Sequence, residues 1–164
     1  MSELRFSEID VEILRLLQRA ARQSNVDLAK KVGLSPSACL RRNRALEKLG
    51  VIRDYVTLLD PKQLGLGASV FVQVTLERKD ETSLKRFETA ISKHSDVVEC
   101  YLMTGDSDYL LRVVVPDVAA FERFIMQHLA KIPGIGSIRS SFALKQVKYT
   151  TALPLDFIES HVPS

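Results

Sequence analysis

Ser37, Arg41, Arg44 and Lys48 recur at i, i+4, i+7 and i+11, the spacing that lines side chains along one face of an α-helix. A hydroxyl and three cations on one stripe suit double-stranded DNA, because arginine reads guanine edges while serine or lysine holds phosphate. Cys39, Asn43 and Leu46 fall on the opposite side, and Arg42 lies between the two faces. A solvated basic face is the other reading of the same stripe. The second cluster with chemistry in it is Gly105-Asp106-Ser107-Asp108, a turn-forming tetrad carrying two carboxylates two residues apart. Carboxylates and turn amides suit the ammonium and carboxylate of a small zwitterion. An Asx turn closing on its own backbone and an oxygen-liganded magnesium ion are the alternatives.

The remaining reactive residues form no pattern. His94, His128 and His161 are scattered and have no metal-ligand spacing. Cys39 and Cys100 are expected to be reduced thiols, each filling a core position, Cys100 because it alternates with Val98 and Leu102. There is no nucleophile elbow, phosphate loop or dinucleotide fingerprint. No catalytic residue, metal or cofactor is therefore expected.

The stripe needs a helix to carry it, and the first 50 residues read as three. Ser7 with Asp10 resembles a capping box, and Ile9, Ile13, Leu16, Leu17 and Ala20 follow at helical spacing, predicting a helix over 8–22. Asn25 caps a short second helix that stops at Gly33. Ser35 with Pro36 then starts a third, which runs to Leu49 and stops at Gly50. Two residues between the second and third helices predict a helix-turn-helix corner. Residues 51–59 are β-prone and follow as a wing strand would. Asp60-Pro61 ends that element, and a Gly- and Pro-punctuated linker follows.

The turn needs strands. After the linker, strands are predicted at 69–77, 97–104, 109–115 and 136–147. Helices are predicted at 81–94 and from Asp117, ended by Pro133-Gly134. The order βαββαβ is the ferredoxin-like split βαβ, one sheet with two helices on one face. Its open face needs a cover, and a second copy of the chain is the simplest one.

Composition agrees with this division. The 164 residues are 46% hydrophobic and 26% charged, which excludes disordered and low-complexity classes. No run of about 18 apolar residues is present, so no membrane helix is expected. The start of the chain has no signal-peptide stretch, so a cytoplasmic protein is expected. The net charge of +3 sits wholly in residues 1–60, and over 36–53 it reaches +4. A basic first third beside a neutral remainder points to two parts with different partners.

Two blocks carry a resemblance to a known family. Asn25 to Arg42 resembles the helix-turn-helix of the Lrp/AsnC, or feast/famine, regulators, and Glu99 to Leu111 resembles their effector-domain signature. The segments Ser140–Val147 and Thr150–Leu155 are most similar to regulators of branched-chain keto-acid dehydrogenase operons. The resemblance implies an α+β chain in which a winged helix-turn-helix (1–60, motif about 25–44) precedes a linker (61–68). A ferredoxin-like effector and oligomerisation domain (69–149) and a tail (150–164) would follow. It implies DNA contacts from Ser35, Ser37, Ala38, Arg41, Arg42, Arg44 and Lys48. It implies an amino acid effector at Thr104, Gly105, Asp106, Asp108 and Tyr109, with Ser140 and Ser141 from a neighbouring strand or subunit. It further implies homodimers assembling to octamers, and control of amino acid metabolism. Two departures stand out, Ala38 where many relatives have proline and Asn43 where they commonly carry an apolar residue. Asn43 is expected to pack its amide on a backbone group or to tilt the helix. A metal-dependent enzyme using Asp106 and Asp108 and an effector-independent architectural DNA-binding protein are the competing functions.

Overall fold

Ser7, Ser24 and Ser35 each stand one residue ahead of a helix and close its first turn with a side-chain oxygen. The structure, a computed structural model, describes residues 6–156 and 158. The helices are α1 (Glu8–Arg19), α2 (Asn25–Lys31) and α3 (Pro36–Lys48). The Ser7–Asp10 capping box is present in both directions. The cap of α2 is Ser24, whose hydroxyl accepts from the Asp27 N–H at 3.1 Å, and not Asn25. Asn25 is already helical and spends its amide on the Pro36 carbonyl at 2.7 Å. α1 ends at Arg19, short of 22. Ala20, Ala21 and Arg22 are exposed, so a further turn would bury nothing.

Both α2 and α3 end in the same closed turn. Beyond α2, the Leu34 N–H donates to the Ala29 carbonyl at 2.9 Å and the Gly33 N–H to Lys30. Beyond α3, Val51 donates to Leu46 at 3.1 Å and Gly50 to Glu47. This pattern needs a left-handed residue in the middle, which Gly33 (φ 69°) and Gly50 (φ 72°) supply without a Cβ penalty. The helix-turn-helix corner is thus local chemistry. Its core is Ile13, Leu14, Leu28, Ala29, Cys39 and Leu46, with Leu155 packed against it.

The expected wing strand at 51–59 is not formed within the chain. Val51 and Ile52 pack on the helical core, and residues 53–60 carry no ladder. Val56, Leu58 and Leu59 stay exposed. β-propensity measures fit to a pleated neighbour, and no strand of the described residues lies alongside to provide one.

The chain divides into two compact units. Of the described residues, those from 6 to 58 form one together with those from 148 to 156 and 158, and Leu59–Val147 form the other. In the second, β1 (Ala68–Leu76), α4 (Glu81–Ile91), β2 (Val97–Leu102), β3 (Tyr109–Val115), α5 (Val118–Gln127) and β4 (Ile135–Phe142) follow in the expected βαββαβ order. The sheet order is β2-β3-β1-β4, and each neighbouring pair is antiparallel. Alternation puts Val70, Val72, Val74 and Leu76 of β1 and Tyr109, Leu111, Val113 and Val115 of β3 on one face. That face packs on Phe87, Ile91, Phe121, Phe124 and Leu129. Each such side chain contributes roughly 1.5–3 kcal/mol by burial. The other face carries Phe71, Gln73, Tyr101 and an Arg112–Glu99 ion pair at 2.8 Å. No helix of the described residues is long and apolar enough to cross a membrane.

Candidate nucleic-acid interface and effector turn

α3 starts from Ser35, whose hydroxyl accepts from the Ala38 N–H at 3.3 Å, with Pro36 at the first helical position. Burial sorts its faces as the spacing predicts. Cys39 and Leu46 are buried, whereas Ser37, Arg41, Arg44 and Lys48 are exposed. Among the described residues none of these three cations has a salt-bridge partner. Ser35 and Ser37 share a hydroxyl contact at 3.2 Å at the head of the helix, and Ala38 is half-buried beside them. Asn43 is half-buried with its Oδ1 unpartnered, so its amide oxygen does not find the expected backbone group.

Arg42 departs from the set. Its Nη1 donates to Asp10 Oδ1 at 2.8 Å and to Ser7 Oγ at 3.0 Å. Position alone put it between the faces, and the capping box of α1 decides where it goes. Burial pushes the Asp10 carboxyl up, but hydrogen bonds from Ser7 and Arg42 outweigh this and hold it below its ordinary value. Asp10, Ser7 and Asn25 are therefore residues that the sequence showed only as caps and the fold uses to hold α3.

In the second unit, Gly105 (φ 119°) carries the turn between β2 and β3. Asp106 and Thr104 are exposed. Asp108 is buried: its Oδ2 accepts from the Leu76 N–H at 2.8 Å and its Oδ1 pairs with Lys79 Nζ at 2.7 Å. Desolvation raises its pKa, but the Lys79 and Leu76 contacts prevail and lower it. The carboxylate thus braces the end of β1. Tyr109 is also inside, its hydroxyl donating to Glu88 at 2.8 Å and its ring 4.5 Å from that of Phe87. Burial and the Glu88 carboxylate raise its pKa well above the ordinary tyrosine value.

Ser140 and Ser141 pair with Val72 and Phe71 on β4, the edge strand opposite β2. Being consecutive, they face opposite sides of the sheet. Within one chain they do not meet the turn. A solvent-open recess of about 570 Å³ at the turn's end of the sheet is lined by Glu77, Arg78, Asp80, Thr82, Ser83, Arg86 and Gly134. Arg78 and Asp80 there already pair at 3.0 Å.

The other reactive groups are as follows. Asp106 and Asp108 do not converge, and no group of three His, Cys, Asp or Glu among the described residues could hold a metal. His94 and His128, which look scattered in sequence, lie with ring centroids 4.7 Å apart beside Phe124. His161 lies outside the described residues. Cys39 is buried as expected, but Cys100 is exposed, because β2 is an edge strand. Burial pushes the Cys39 thiol up; at Cys100 the residue as a whole is exposed, but desolvation of its sulfur and the Glu88 carboxylate still raise the thiol.

A family profile described as Lrp/AsnC ligand binding domain matches residues 69–153, and one described as winged helix-turn-helix DNA-binding matches residues 6–53. The chain belongs to the Lrp/AsnC family. This regulator is 47% identical over 155 residues to the Bkd operon transcriptional regulator of Pseudomonas aeruginosa, spanning 94% of this chain and 100% of that one. It is 41% identical over 145 residues to the leucine-responsive regulatory protein of Escherichia coli (strain K12), spanning 88% of each. It superposes with a TM-score of 0.88 and 39% identity on a transcriptional regulator of Neisseria meningitidis in complex with L-Met, covering 92% of this chain and 97% of that one. The chain is a DNA-binding transcriptional regulator with a ligand-binding domain, and not an enzyme.

Proposed function

We propose that the regulator reads duplex DNA sequence with Ser35, Ser37, Ala38, Arg41, Arg44 and Lys48 of α3. In this reading it answers to a small amino acid effector and controls genes of amino acid metabolism. The observation that carries the DNA contacts is the exposed cation stripe, without a salt-bridge partner among the described residues, on a helix closed at both ends. A capped N-terminus adds a partial positive charge suited to phosphate. The ligand-binding domain and the L-Met in the Neisseria relative support the amino acid effector.

Thr104, Gly105 and Asp106 are the accessible part of the turn, and in this reading they contact the ligand. Asp108 and Tyr109 hold the turn from inside. Ser140 and Ser141 enter such a site from a second subunit. The regulator works in the cytoplasm as a homodimer joined through its sheets, assembling to an octamer.

The experiment is a binding titration against a duplex that the protein selects from a random-sequence pool, repeated over salt and with each of the twenty amino acids. Affinity is expected to fall steeply with salt, and one or more amino acids to raise the melting temperature and alter DNA affinity. A wild-type chain that enriches no sequence overturns the DNA reading. Absence of any amino acid effect on melting, assembly or DNA affinity overturns the effector reading. Sedimentation without and with the active amino acid tests the assembly.

A further inference from the structure

Four basic residues of α3 sit in one short stretch, and Arg42 differs from Arg41, Arg44 and Lys48 in having partners. Its guanidinium donates to Asp10 at 2.8 Å and to Ser7 at 3.0 Å. Those acceptors are themselves fixed. The Ser7 N–H and Oγ donate to Asp10 Oδ2 at 3.0 and 2.6 Å, and the Asp10 N–H donates back to Ser7 Oγ at 3.2 Å. The group that closes the first turn of α1 is therefore also the point on which the middle of α3 rests. The Asp10 side chain is 17% exposed and that of Arg42 37%, so water screens the pair less than a surface ion pair.

The rest of the attachment explains why this contact matters. Cys39 and Leu46 bury apolar surface against α1 and α2, which sets how close α3 sits. Apolar burial has little directional preference, so it constrains rotation about the helix axis weakly. Asn25 holds the Pro36 carbonyl at one end at 2.7 Å, and Tyr55 donates to Glu47 near the other at 2.9 Å. Among the described residues, only the Arg42 contact is charge-assisted, directional and placed mid-helix.

We propose that Arg42 is a positioning residue: through Asp10 and Ser7 it sets the roll of α3 that aims Arg41, Arg44 and Lys48 at the DNA. This rests on α3 being the base-reading helix. Side-chain tips lie about 5–6 Å from a helix axis, so a roll of about 15° carries them about 1.5 Å. That displacement breaks a base-edge hydrogen bond. It leaves a cation within useful Coulomb range of a phosphate. Loss of Arg42 therefore removes discrimination and spares general affinity. A direct phosphate contact would do the reverse.

The test compares the wild-type chain with Arg42→Gln, Asp10→Asn, Arg42→Lys and the Arg42→Gln/Asp10→Asn double variant. Each is titrated over a range of salt against a duplex selected by the wild type and against a random-sequence duplex. In Arg42→Gln and Asp10→Asn the ratio of selected to random affinity falls at least about fivefold. The double variant is no worse than either single, and Arg42→Lys recovers part of the loss. The slope of affinity against salt on random duplex stays at the wild-type value. The proposal is overturned if Arg42→Gln lowers that slope by about one and weakens both duplexes alike while Asp10→Asn is silent. An unchanged ratio in both singles overturns it equally. Circular dichroism melts accompany each variant. Should Arg42→Gln fail to fold, Asp10→Asn and Arg42→Lys decide the matter by the same ratio and slope. Failure of the DNA reading itself shows in the wild type, which then enriches no duplex, whereas failure of the positioning role shows only in the variants.

Discussion

α3 and the Gly105–Tyr109 turn are both clusters of charged and polar side chains, yet the fold treats them in opposite ways. On α3 the charged groups of the stripe are exposed and have no salt-bridge partner among the described residues, and the groups that hold the helix, Asp10, Ser7 and Asn25, lie on its neighbours. In the turn one of the two carboxylates is itself the fastening: Asp108 is consumed by Leu76 and Lys79, while Asp106 stays exposed. A helix presents a new face every 100°, so one element can bury two residues and expose four. A four-residue turn has no spare face, so part of it must satisfy the strands it joins. A charged motif on a helix can therefore stay available to a partner, whereas one in a tight turn is divided between structure and binding.

The contrast breaks first at Asp108. Asp108→Ala leaves the Leu76 N–H unpaired and is expected to destabilise the second unit by about 2–3 kcal/mol, read as a lower melting temperature. A variant that melts like wild type yet loses its amino acid response would make Asp108 a ligand contact and the contrast false. The same carboxylate predicts a pH dependence. Its pKa is lowered from 3.8 in the folded state, so its stabilisation is present above that ordinary value and is lost as pH falls through the depressed one. Denaturant unfolding of the wild type should weaken below about pH 4, and Asp108→Asn should flatten that part of the profile.

Next in size are the free cations. Arg41→Ala and Arg44→Ala are each expected to cost about 1–3 kcal/mol on a selected duplex with no change in melting temperature. If both bind as tightly as wild type, the exposed stripe is only a solvated face. Ser35→Ala removes the cap that starts α3 and should cost about 1 kcal/mol of stability, measured by denaturant unfolding. The smallest stability effect belongs to Asp106→Asn, within about 0.5 kcal/mol, because Asp106 is exposed. Its effect should instead appear in calorimetry with the active amino acid, and unchanged binding there would place the ligand elsewhere.

Much of this was legible from local patterns, because local patterns act over one helical turn or one strand pair. Ser7, Ser35-Pro36, Gly33 and Gly50 delimit the helices, and the i, i+4, i+7, i+11 spacing names the outward face of α3. The alternation in β1 and β3 predicts which side of the sheet is buried. Residues 51–59 mark the limit of that reasoning, since their β-branched and aromatic residues express a preference that no neighbouring strand among the described residues satisfies.

By itself the sequence determined the helix-turn-helix corner, the βαββαβ order and the stripe of cations on one face of α3, all consequences of spacing and capping within a few residues. Only the tertiary structure decided which charged groups were already taken. Arg42 meets Asp10 across 32 residues and Lys79 meets Asp108 across 29, and the two serines of β4 end at the far edge from the turn. The reason is physical: a charge has no preferred sequence separation, and its partner is whichever opposite charge the packing of apolar faces brings within reach.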